Sequence, residues 1–119
     1  MRSIFVLLFF GTSFLPFNAV ASNVDFPIFD PNTFCKAVGK ANSQYPGGLA
    51  EKACLSNEQQ AYYGARQIWP VASDETKMKC SNAANLPGVR EHMAYEALEN
   101  CLNLLIPQDQ LRSQGAFRY

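Results

Sequence analysis

The chain has a single histidine, His92, and no Cys-x-x-Cys pair. The first shortage leaves a metal centre without imidazole ligands, and the cysteines stand too far apart for a finger-type zinc pattern. The second removes the motif of a thioredoxin-type redox centre. There is no G-x-S-x-G nucleophile elbow, and Gly47-Gly48 lacks the Lys and Ser/Thr of a phosphate-binding P-loop. Net charge is also missing: ten basic and ten acidic residues balance, with no basic run beyond Lys77 and Lys79. Nucleic acid and anionic lipid therefore find no patch to grip. No apolar–polar alternation exceeds four residues and no hairpin signal occurs, so strands are not expected.

What is present begins with a leader. Arg2 gives a positive start, Ile4 to Phe10 is an unbroken apolar run, and Ala19-Val20-Ala21 forms a small-x-small cleavage site. This is the layout of a secretory signal peptide, residues 1–21, cleaved after Ala21. Residues 4–21 approach the roughly 20 residues that span a bilayer, but Pro16, Asn18 and the Ala-Val-Ala site favour cleavage over retention as an anchor. Loss of Arg2 leaves nine basic residues against ten acidic, a net charge of −1. The mature part is one small domain, with no later segment apolar enough to span a membrane. Export to a periplasmic or secreted location makes the four cysteines disulfide candidates.

Residues 22–32 hold two prolines and read as an extended arm. A first helix is expected over roughly 33–44, capped by Asn32 or Thr33, with Phe34, Val38 and Ala41 on one side. Tyr45-Pro46-Gly47-Gly48 breaks it. A second helix runs from Leu49 to Trp69, where Pro70 stops it, with Ala50, Cys54, Asn57, Ala61, Ala65 and Ile68 as its stripe. Ser73 caps a third helix reaching about Asn85, with Asp74 and Glu75 in the first turn. After Leu86-Pro87-Gly88, a fourth helix is expected over 91–106, with Ala94, Leu98, Cys101, Leu102 and Leu105 inward. Pro107 should end it, leaving 107–119 as a flexible tail. The helical domain is thus 33–106.

Four cysteines allow three connectivities. Cys35 and Cys54 sit on opposite arms of one helix–turn–helix unit, and Cys80 and Cys101 on those of a second, at depths that let packed helices be bridged. The expected pairing is Cys35–Cys54 with Cys80–Cys101. The fold class is all-α: two disulfide-stapled antiparallel helical hairpins.

Ile68-Trp69-Pro70, the capped stretch Ser73 to Cys80, then Tyr95 and Cys101-Leu102 resemble small exported four-cysteine helical proteins of alphaproteobacteria and relatives. The resemblance covers about 34–106; the segment between Gly88 and Cys101 is longer here. That family has no assigned activity, so the resemblance implies a periplasmic address and a fold, and no reaction.

Catalytic candidates are thin. His92 reads as a solvated residue at a helix start. Glu51 with Glu58, and Glu96 with Glu99, share helix faces and read as solvated surface pairs rather than a glycosidase pair. Tyr62, Tyr63 and Trp69 cluster on the second helix; core packing accounts for at least one, and an exposed remainder would suit a partner. The expectation is an exported non-enzymatic binding or envelope-associated protein of unknown partner, with no metal and no cofactor. The alternatives are a carrier of a small apolar ligand or lipid between the hairpins, and a small hydrolase using Glu51 or Glu96.

Overall fold

The computed structural model describes residues 23–113. The leader with its cleavage point after Ala21, and the closing Phe117-Arg118-Tyr119, lie outside the described residues. The described chain is all-α, with α1 Pro31–Ala41, α2 Leu49–Ile68, α3 Asp74–Ala84 and α4 Ala94–Ser113. It forms two antiparallel helical hairpins. α1 packs on α2, α3 on α4, and the two long helices α2 and α4 pack on each other between them.

Each hairpin carries its own disulfide. Cys35–Cys54 joins α1 to α2 with Cα atoms 5.5 Å apart, and Cys80–Cys101 joins α3 to α4 at 5.4 Å. Both separations fall in the ordinary range for a bridge between packed helices. Disulfides of this kind persist in oxidising compartments. No helix among the described residues is long and apolar enough to cross a membrane.

α1 starts earlier than the sequence suggested. Asp30, rather than Asn32 or Thr33, is its cap: the carboxylate accepts from the Thr33 amide at 3.3 Å and the Thr33 hydroxyl at 2.6 Å. Pro31 follows in the first helical position, where its missing N–H is no loss. The Pro46-Gly47-Gly48 turn depends on glycine, since Gly47 and Gly48 both have φ near +70° (69° and 66°). Gly39 serves closeness instead: a Cβ there would lie 2.9 Å from the Glu51 Cβ, so its absence lets α1 approach α2.

α2 is continuous, and a short 3-10 turn, Trp69–Val71, carries the chain past Pro70. Its buried stripe differs from the expected one. Glu58, Ala61 and Ala65 are buried, whereas Asn57 is exposed. The inward face therefore runs Cys54, Glu58, Ala61, Ala65. α3 begins as expected, with the Ser73 hydroxyl accepting from the Thr76 amide at 3.1 Å.

α4 departs most. It begins at Ala94, not 91, because residues 86–93 are wound into successive turns in which Arg90 and Met93 amides bond to Leu86 and Val89 carbonyls. His92 sits exposed in those turns rather than in the helix. At the other end Pro107 does not stop the helix, which continues to Ser113. Pro107 removes one backbone donor, whose ordinary acceptor four residues back belongs to exposed Asn103, on the water side. Beyond it, Asp109 is tied to the start of α3. Its carboxylate accepts from the Ser73 amide at 3.2 Å and from the buried Thr76 hydroxyl at 2.9 Å. Residues 107–113 are thus helix held against α3, not tail.

The main core lies between α2, α3 and α4: Ala61, Ala65, Trp69, Cys80, Ala84, Tyr95, Leu98, Leu102 and Ile106. A smaller cluster of Phe34, Cys35 and Ala94 sits under α1.

Candidate functional site

The arm is part of the fold. Residues 25–30 form no helix or turn and lie against Tyr62, Trp69 and Tyr95. Phe26 inserts its ring among Tyr62, Trp69 and Tyr95, with centroids 5.7, 5.2 and 6.2 Å away. Phe29 packs edge-on against Tyr95 at 5.1 Å. Such ring pairs each add roughly 0.5–1.5 kcal/mol beyond the area they bury. Tyr95 also fixes the backbone of the arm: its hydroxyl accepts from the Phe29 amide at 2.9 Å and donates to the Pro27 carbonyl at 3.4 Å. Burial, with Tyr62 and Glu58 nearby, holds that phenol above its ordinary value despite the Phe29 bond. Between these inward residues Ile28 points out, 90% exposed.

Glu58 stands beneath this cluster, 1% exposed. Its two oxygens accept from the amides of Tyr95 at 2.8 Å and Glu96 at 3.3 Å. Those amides belong to the first turn of α4, which lacks intrahelical partners. A side chain on α2 thus caps α4, thirty-seven residues away in sequence. Burial pushes the Glu58 carboxyl above its usual range, and neighbouring Glu96 adds to this, while the two amide bonds pull the other way and do not prevail. The reading of Glu58 as half of a solvated surface pair is therefore corrected: it is buried because it finds two donors that nothing else satisfies.

Arm and helix leave a groove between them, about 560 Å³, lined by Ile28, Phe29, Pro31 and Asn32 on one wall and Leu55, Glu58, Gln59, Tyr62, Tyr63 and Tyr95 on the other. Its lining mixes aromatic and aliphatic side chains with the polar groups of Asn32, Glu58, Gln59 and the tyrosine hydroxyls, a combination found in ligand pockets.

The three aromatic candidates have separated. Trp69 is buried in the core, with Lys77 Nζ 5.5 Å from its ring centre. Tyr62 is half-buried, and its ring meets Tyr63 at 5.4 Å and Tyr95 at 5.0 Å. Tyr63 is 58% exposed. Tyr62 and Tyr63 line the groove; Trp69 does not. The four cysteines are all in disulfides.

Tyr95, Phe26 and Phe29 were not among the site candidates read from the sequence, and Glu58 was weighed there only as half of a solvated pair. Spacing held a signal for Glu58, since Cys54, Glu58, Ala61 and Ala65 fall at helical intervals. Among the described residues, no three His, Cys, Asp or Glu side chains lie together as a metal site. No protein-family model, curated protein or solved structure matches the chain.

Proposed function

We propose that the protein is an exported, non-enzymatic binding module of the periplasm or cell exterior, and that its partner engages the groove between the arm and α2. The leader of residues 1–21 and the resemblance to small exported four-cysteine proteins support the address, and the two disulfides agree with it. The observation that carries the binding reading is the groove itself: about 560 Å³, walled by Ile28, Tyr62 and Tyr63, on a scaffold fixed by two covalent links. Tyrosine supplies large contact area with little conformational entropy to lose, and it is enriched where proteins bind one another.

The carboxylate nearest the groove argues for structure over catalysis. Both Glu58 oxygens are already engaged with backbone amides, so the group acts as a cap rather than as a free acid or base. The meeting place of the hairpins is filled by Ala61, Ala65, Leu98 and Leu102, so a carried apolar ligand has its room in the open groove rather than between the hairpins.

Tyr63→Ala is the test. Exposure of Tyr63 means the variant should melt as the wild type does, yet it should lose most of its capture of a specific envelope partner. Equal capture by wild type and variant, with folding intact, refutes the groove as the binding surface. Trp69→Ala is unsuitable, because Trp69 is core.

A further inference from the structure

We infer that the groove recognises a quaternary or methylated ammonium group, an inference that rests on the reading of the groove as the binding site. Charge complementarity carries it. Among the described residues that line the groove, Glu58 alone is charged. Among the described ion pairs none gives Glu58 a basic partner. Its two amide donors engage the carboxylate but leave its unit of negative charge uncancelled, and Glu96 stands close enough to add to the field. An anionic ligand would meet that field, and a neutral one would gain apolar contact alone.

The rings supply the second half. Tyrosine faces carry negative potential and attract cations, most strongly those with a thin hydration shell. Tyr62 and Tyr63 stand at the wall with ring planes 73° apart, and Tyr63 is open to solvent. One of these rings already meets a cation: the Arg66 guanidinium lies 5.8 Å from the Tyr62 ring centre, and 6.0 Å from that of Phe26, which stands outside the groove lining. Arg66 is held outside the groove lining by its bond to the Tyr62 hydroxyl. Ile28, Phe29 and Leu55 complete an aliphatic and aromatic wall that suits methyl substituents better than a bare ammonium with three donors to satisfy.

Titration of the full disulfide-bonded protein with choline and with its neutral carbon isostere, 3,3-dimethylbutan-1-ol, tests this, read from the ring proton resonances of Tyr62 and Tyr63. Choline should shift both and bind about tenfold more tightly than the isostere, within the range of a partly desolvated cation–π contact with a nearby carboxylate. Glu58→Gln should bring choline down to the isostere's affinity. Because Glu58 caps α4 and that variant can lose its fold, Tyr63→Ala and Tyr63→Phe give a second arm: the first should lose choline binding and the second keep it. Sedimentation with phosphatidylcholine vesicles distinguishes the source. Binding to them identifies a lipid head group, and choline binding without it identifies a free ammonium compound. Equal affinity for isostere and choline overturns the inference while leaving the groove a binding site. Ring signals unmoved by choline in a normally melting protein also overturn it, and partner capture by Tyr63→Ala then decides the broader reading separately.

Discussion

Replacing Glu58 by alanine should destabilise the domain by about 2–3 kcal/mol. The carboxylate satisfies the Tyr95 and Glu96 amides, and the Tyr95 residue is buried, so water cannot take over. A buried donor left without a partner costs about 1–3 kcal/mol, and loss of a helix cap about 0.5–2 kcal/mol; the two describe overlapping bonds and do not simply add. Against a total of about 5–10 kcal/mol for a domain of this size the loss is large. At about 4–8 °C per kcal/mol it lowers the melting midpoint by roughly 10–20 °C. Glu58→Gln keeps one acceptor and should cost only about 1 kcal/mol. The pH dependence has a definite sign. Burial raises the folded carboxyl above its ordinary 4.5, so the folded protein holds that proton more readily than the unfolded chain does. The stability this contributes is full below pH 4.5 and is lost as pH rises through the folded value. The gap between wild type and Glu58→Ala should therefore widen on acidification, and that between wild type and Glu58→Gln should follow the same trend. Thermal melting by circular dichroism at pH 7 and near pH 4.5 measures both, and hydrogen exchange at the Tyr95 and Glu96 amides localises the effect. An alanine variant melting within about 3 °C of wild type refutes the cap, and a gap that narrows in acid refutes the upward shift of the carboxyl.

Reduction should be more severe. The disulfides close loops of 19 and 21 residues, worth about 3 kcal/mol each in the chain-entropy model, so reductant should unfold or loosen the domain, and an unchanged melting midpoint would count against this. Tyr95→Phe removes the hydroxyl that holds the arm at Phe29 and Pro27; it should cost about 1 kcal/mol and expose residues 24–30 to protease well before global unfolding, and an arm cut no faster than in wild type would show the rings alone suffice. Asp109 behaves oppositely to Glu58. Its near-burial pushes the carboxyl up, but bonds from Thr76, Ser73 and Arg112 hold it below its ordinary 3.8, so its stabilisation is present above pH 3.8 and is lost as pH falls through the folded value. Asp109→Asn should cost about 1–2 kcal/mol at pH 7 and progressively less in acid, and a difference that does not shrink with falling pH refutes the tie between α3 and the end of α4.

Elements set by neighbouring residues were legible in the sequence. The Pro-Gly breaks, the Ser73 cap and the spacing of the cysteines are all local, and together they were enough for two hairpins with local disulfides. What was missed joins distant parts of the chain. Glu58 looked like a surface carboxylate because the donors it serves lie in another helix. Pro107 looked like a stop because the force that keeps α4 winding, Asp109 against Ser73 and Thr76, comes from α3. The arm looked like a lead-in because proline and short length conceal what Phe26 and Phe29 touch. Which of Tyr62, Tyr63 and Trp69 was core was not readable, since a ring's neighbours are not written in its own helix.

The groove follows from how α2 changes around its circumference. Ala61 and Ala65 are small and let α4 lie close, with Leu98 and Leu102 filling the seam. On the flank nearer the arm the side chains turn large, with Tyr62, Tyr63 and Tyr95 in one edge-to-face chain. Rings of that size cannot all be covered by two short helices, and the chain covers part of them with Phe26 and Phe29. The arm is held by the Phe26 and Phe29 rings, the Tyr95 hydroxyl and the Asp30 cap, while its outward residue, Ile28, is 90% exposed. A domain that only needed stability could have carried small or polar side chains on that flank. The rings and the exposed isoleucine beside them make sense as a surface kept for something that binds, and loss of binding on Tyr63→Ala without loss of stability is the outcome that separates that purpose from packing.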